Sequence, residues 1–162
     1  MKPGVRALGV AESYGPNADR STLAGVVTRA DRTVDGCAFG TCTVGGTDLT
    51  ASVATVSDRL DREDVGYVLV AGVALAWYNL LDVDALAERV ERPVIAVTFE
   101  DSGGLDGAVR EAFDGDALAD RLERYRALPE RHATTVDGND LYYRVAGIDA
   151  AEGERVLQHF TA

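Results

Sequence analysis

Apolar residues alternate with small or polar ones over Val5–Val10, Thr22–Arg29 and Gly36–Val44, and each run predicts a strand. Asp31 and Arg32, followed by Asp35-Gly36, mark a tight reversal between the second and third runs, so the three read as an antiparallel meander. From Thr47 the period changes. Leu49, Val53, Val56 and Leu60 recur at helical spacing, with Thr47 or Asp48 in position to cap the start. Gly66–Val70 is a short, continuous apolar run, as in a strand buried on both faces. Asp82 or Asp84 opens a helix through Val90, Pro93–Phe99 reads as a further strand, and amphipathic helices follow at Leu105–Phe113 and Asp116–Leu128. A hairpin turning at Asp137-Gly138-Asn139 joins Ala133–Val136 to Leu141–Ala146, and Ala150–Phe160 closes as a helix. No repeat, linker or low-complexity run interrupts the order, so a single domain over residues 1–162 is expected.

Three antiparallel strands followed by helix, strand, helix and strand are the succession of an RNase H-like α/β (α+β) fold. The expectation is a mixed five-stranded sheet with flanking helices, plus the C-terminal hairpin and helix. In that topology the fourth strand pairs parallel to the first. The stretches GVAES and LVAGV then end side by side, the first opening into a polar loop at Glu12, Ser13, Tyr14, Gly15 and Pro16. In a nuclease of this fold, carboxylates at adjacent strand ends hold Mg²⁺ against the scissile phosphate, where the metal activates water. The corresponding residues here are Ala11 and Ala71.

Charge adds a second line of inference. Asp and Glu number 27 against 16 Lys and Arg, giving a net charge of -11, and Lys2 is the one lysine. Acids spread through nearly every segment, with arginine as the base, suit a cytoplasm of molar salt, where a Debye length near 3 Å removes most self-repulsion. A halophilic, archaeal origin is expected. No apolar run approaches the roughly 20 residues of a membrane span, and the N-terminus lacks signal-peptide features, so a cytoplasmic protein without membrane association is expected. Cys37 and Cys42, five apart on one predicted strand, point to opposite faces and do not pair, and no histidine clusters with them to bind zinc.

The segments RALGVAESYG, CTVGGTDLT, VLVAGVALAWYNLLDVDAL and VAGIDAAEGERVL together resemble the archaeal endonuclease dU family, which is related to endonuclease V. The resemblance runs in order over nearly the whole chain. It implies an RNase H-like fold and Mg²⁺- or Mn²⁺-dependent cleavage of DNA with deaminated or otherwise damaged bases, a DNA-repair hydrolase. Members usually read Gly-Ile-Asp-Asp where this chain has Gly9-Val10-Ala11-Glu12, and Leu-Asp-Gly where it has Val70-Ala71-Gly72. Their Val-Asp-Gly after strand three is Val44-Gly45-Gly46 here, while Asn79, Asp82 and Asp48 match the family. Members also tend to continue into a basic helix beyond the point where this chain ends at Thr161-Ala162, so part of a nucleic-acid surface is expected to be missing.

Two readings follow. In the first, the protein is an endonuclease dU-type nuclease with a rebuilt catalytic set of Glu12, Asp48 and Asp82, in which Glu12 and Asp48 hold the metal. Ser13, Tyr14, Trp77, Tyr78 and Asn79 are then the candidate substrate contacts, the aromatics by stacking on an extruded base. In the second, it is a catalytically silent RNase H-like binding or regulatory protein. Glu12 is then a solvated acid, Asp48 and Asp82 are helix caps, and Trp77 and Tyr78 are packing residues. DNA is the expected partner in the first reading. Arg6, Arg20, Arg29 and Arg32, near the meander, are its candidate phosphate contacts.

Overall fold

The computed structural model describes residues 1–101 and 103–161; Ser102 and Ala162 lie outside the described residues. The meander forms as β1 (Arg6–Ser13), β2 (Arg20–Thr28) and β3 (Val34–Thr43), with antiparallel pairing throughout. Then come α1 (Leu49–Leu60), β4 (Val65–Val70), a one-turn element α2 (Leu75–Tyr78), the two-residue β5 (Asn79–Leu80) and α3 (Val83–Val90). The chain continues as β6 (Val94–Thr98), α4 (Asp106–Ala112), α5 (Gly115–Arg126), β7 (His132–Val136), β8 (Asn139–Ala146) and α6 (Ala150–Thr161).

The main sheet has seven strands in the order β3-β2-β1-β4-β6-β8-β7. β1 lies between β2 and β4, antiparallel to the first and parallel to the second, as the element order predicts. Two expectations need correction. The sheet is wider than five strands, because the C-terminal hairpin is not an appendage: β8 pairs antiparallel with β6, from Val94↔Ala146 to Thr98↔Tyr142. Its alternating apolar positions mark a half-buried hairpin but do not say which edge it completes. β1 also runs on to Ser13, because Ala11, Glu12 and Ser13 continue the ladder with Ala24, Leu23 and Thr22, so Glu12 stands in a strand and not in a loop.

Alternation sorts the side chains into two cores. Leu8, Val10, Leu23, Val27, Cys42, Val68 and Val70 face Leu49, Val53 and Val56 of α1 and Leu86 of α3. On the opposite face, Ala7, Leu69, Ile95 and Tyr143 meet Val156 and Leu157 of α6. α1 approaches the meander closely because Gly25 offers no side chain; a Cβ there would stand 2.4 Å from a Val56 methyl. Cys37 is exposed and Cys42 buried, and both are free thiols, as their spacing requires. Among the described residues no helix is long and apolar enough to cross a membrane.

Candidate functional site

β1 and β4 run parallel, side by side, towards their carboxyl ends. Val10 is in register with Val70, and the Ala71 amide donates to the Val10 carbonyl at 3.0 Å, which sets Ala11 alongside Ala71. Both alanines are exposed. They line an open trough of about 390 Å³ with Gly9, Ala24, Val26, Leu69, Val97 and Phe99. Every side chain there except Thr98 is apolar or absent, so the trough offers a cation almost nothing to bind.

Glu12 faces the other side of the sheet. Its Oε2 accepts a hydrogen bond from the buried Ser21 hydroxyl at 2.5 Å, and the same hydroxyl lies 3.3 Å from the Ser13 carbonyl. Glu12 and Asp48 both raise the pKa of the Cys42 thiol, after the larger effect of burial, so the two acids share a neighbourhood. Asp48 is fully engaged. Its carboxylate accepts from the Thr43 amide at 2.9 Å, the Thr43 hydroxyl at 2.8 Å and the Asn79 amide at 2.8 Å, and Arg20 stands 3.6 Å away. Burial opposes ionisation, but the Thr43 and Asn79 hydrogen bonds outweigh it and hold the carboxyl below the usual range. Asp82 caps α3, accepting from the Ala85 amide at 3.0 Å.

Asn79 is fully buried and joins two segments. It donates to the Thr43 carbonyl at 2.9 Å as well as to Asp48, and it accepts from the Leu49 amide at 3.0 Å. It therefore caps the first amide of α1 from a position 30 residues away in sequence. With its side chain fully buried, Asn79 ties the loop after β3 to the start of α1.

Before Asn79 the chain makes a left-handed turn. Ala76, Trp77 and Tyr78 have φ of 48, 58 and 57°, a conformation that costs an L-residue roughly 1–2 kcal/mol. The turn is pinned by the Gly45 amide, which donates to the Ala76 carbonyl at 2.7 Å, and Gly45 itself has φ of 72°. The buried Arg121 holds the same loop through the Gly45 carbonyl at 2.6 Å and packs its guanidinium over the Phe113 ring at 4.6 Å. The outcome is a displayed aromatic: Trp77 is 51% exposed, in edge contact with Tyr78. Tyr14 is likewise exposed, and Tyr78 turns instead into a cleft of about 290 Å³ beside Ala71.

The family model for endonuclease dU matches residues 3–162. The chain belongs to the endonuclease dU family. Among curated family relatives, a UPF0215 protein of Pyrobaculum calidifontis is 37% identical over 154 residues, covering 93% of this chain and 83% of that one. Among solved structures, a protein of unknown function from Archaeoglobus fulgidus superposes with a TM-score of 0.81 at 22% identity, over 96% of this chain and 86% of that one. Endonuclease V of Ciona intestinalis, solved with a 24-mer DNA containing an inosine followed by a ribo-adenosine, superposes with a TM-score of 0.61 at 8% identity, over 96% of this chain and 77% of that one. The fold is thus the RNase H-like fold of endonuclease V.

The residues present do not fit the divalent metal that an endonuclease dU relationship implies. Among the described residues no three His, Cys, Asp or Glu side chains converge on one point. Alanines stand at both strand ends, and Glu12, Asp48 and Asp82 are each engaged by protein donors. Three of the four arginines near the meander are engaged too: Arg6 pairs with Asp35 at 3.0 Å and with Asp64 at 3.4 Å, Arg29 with Asp31 at 3.8 Å, and Arg20 with Asp48, while Arg32 makes no ion pair among the described residues. Ser21, Thr43 and Arg121 carry no sequence signal that singles them out: Ser21 and Thr43 bond Glu12 and Asp48 at separations of 9 and 5 residues that form no recognisable motif, and Arg121 reaches Gly45 across 76 residues.

Proposed function

We propose that the protein is a catalytically silent, nucleic-acid-binding member of the endonuclease dU family. The observation that carries this reading is the pair Ala11 and Ala71, side by side in an apolar trough where the fold would need carboxylates. An alanine neither ligates a hard cation nor activates water. The partner is argued from the exposed Trp77 on its strained turn, from Tyr14, and from the likeness in fold to an endonuclease V solved with inosine-containing DNA.

The working environment we infer is a cytoplasm of molar salt, from the net charge of -11 and the lone lysine. Counterion release from DNA contributes little at such salt. Affinity then rests on stacking and on contacts sheltered from solvent, which screening weakens less. The rival reading, a nuclease using Glu12, Asp48 and Asp82, is favoured only by the nearness of Glu12 and Asp48 to Cys42.

The test offers the protein single- and double-stranded DNA containing deoxyuridine or deoxyinosine, with millimolar Mg²⁺ or Mn²⁺. Binding without nicking is the expected result. Metal-dependent nicking abolished by Glu12→Gln would establish the rival.

A further inference from the structure

The cleft beside Ala71 has a character of its own. It opens at the carboxyl ends of the parallel strands β4 and β6, the side of an α/β sheet where ligands collect. Ala96 and Thr98 of β6 and Tyr142 and Arg144 of β8 line it, with Tyr78 and Tyr125 contributed by other segments. At about 290 Å³ it is at the small end of ligand pockets, near the roughly 300 Å³ lower bound.

Its charged lining residues are Arg131, Arg144 and Glu100. Arg144 is partly buried, yet its partners among the described residues are the Pro129 carbonyl, at 2.6 Å, and the Tyr125 ring, whose centroid is 5.9 Å from the guanidinium. No carboxylate among the described residues forms an ion pair with it, in a chain with 27 acids. Arg131 lines the same cleft, packed over the Tyr142 ring at 5.1 Å and paired with Asp101 at 3.2 Å. Burial lowers the Arg144 pKa, partly offset by Tyr125 beside it and aided to a smaller degree by the Arg131 charge. Arg144 thus has no carboxylate partner among the described residues, and an anion entering the cleft would neutralise it through charge-assisted hydrogen bonds. Three tyrosine rings around the same space supply flat faces for a planar group. Glu100 is the one carboxylate in the lining, and its charge would disfavour a ligand of higher negative charge.

We propose that this cleft binds one nucleotide bearing a phosphate monoester, with Arg144 and Arg131 taking the phosphate and Tyr78, Tyr125 and Tyr142 enclosing the base. The proposal stands apart from the silent-nuclease reading, since the cleft requires neither a metal nor bond cleavage. The nucleotide is either free or the phosphorylated end of a strand, and the two sources share this chemistry.

Calorimetric titration of the folded chain with AMP, adenosine and inorganic phosphate tests it. AMP is expected to bind at least about tenfold more tightly than adenosine, because the charge-assisted contacts are lost with the phosphate. Arg144→Gln is expected to weaken AMP at least about tenfold while leaving adenosine nearly unchanged. Arg131→Gln and Tyr142→Ala, at the more exposed part of the lining, should each weaken it about fivefold, and they carry the test if the Arg144 variant fails to fold. Competition by a 5′-phosphorylated single strand, and not by its unphosphorylated form, assigns the strand end as the source; AMP binding without such competition assigns the free nucleotide. Equal affinities for AMP and adenosine, AMP affinity unmoved in the folded variants, or no AMP binding at 10 mM would each overturn the proposal. Nicking by the wild-type protein would sink the silent reading and leave this site intact.

Discussion

Asn79 donates its side-chain amide to Asp48 at 2.8 Å while its carbonyl oxygen caps the Leu49 amide at 3.0 Å. One fully buried side chain thus fixes the start of α1, the loop after β3 and the exit of the left-handed turn. Asp48, the acid that matches the family pattern at the helix start, accepts from the Thr43 amide, the Thr43 hydroxyl and the Asn79 amide.

Asn79→Asp tests that assignment through pH. At neutral pH the variant sets a second carboxylate against Asp48 and removes a donor, so a loss of about 2–4 kcal/mol of stability is expected. The deficit should shrink as pH falls towards about 4, because protonating the introduced acid restores a donor. Asp48 in the wild type has the opposite sign. Its folded pKa is depressed, so its contribution is present above the unfolded value and is lost as pH falls through the folded one. Melting curves of both proteins between neutral pH and pH 4 should converge; parallel curves would remove Asp48 from the account.

Trp77→Gly separates display from packing. Glycine adopts φ of 58° without penalty, so stability should hold or rise by up to about 1 kcal/mol. Single-stranded DNA binding should weaken at least about fivefold as a stacking face disappears. A variant that is clearly destabilised but binds as before would make Trp77 a packing residue.

The order of elements and the placement of β1 between β2 and β4 were legible because alternation and helical period mark them directly. The end of β1 was not: Ala11, Glu12 and Ser13 carry no apolar alternation, and the ladder with β2 keeps them in the strand. The turn at Ala76-Trp77-Tyr78 was invisible for a different reason. Left-handed backbone usually announces itself by glycine, and here tertiary contacts from Gly45 impose it on residues that disfavour it. The alanines at the strand ends were readable as a gap. The cleft around Arg144 was not, because its lining comes from segments far apart in the chain.

Salt tests the inference from composition. Raising KCl from about 0.1 to 2 M shortens the Debye length from roughly 10 Å to below 3 Å, and the melting temperature should climb by several degrees as self-repulsion is screened. An unchanged melting temperature would remove the case for a molar-salt environment.

The central claim is that β1 and β4 end in a vacated metal site. Titration of Mn²⁺ into the wild type and into Ala11→Asp/Ala71→Asp, followed by incubation of each with deoxyinosine-containing DNA, tests it most directly. The account predicts no specific Mn²⁺ binding by the wild type, millimolar or tighter binding by the double variant, and much less by either single variant, since one carboxylate leaves the ion mostly hydrated. Stoichiometric Mn²⁺ binding and nicking by the unmodified protein, both lost in Glu12→Gln or Asp48→Asn, would contradict it.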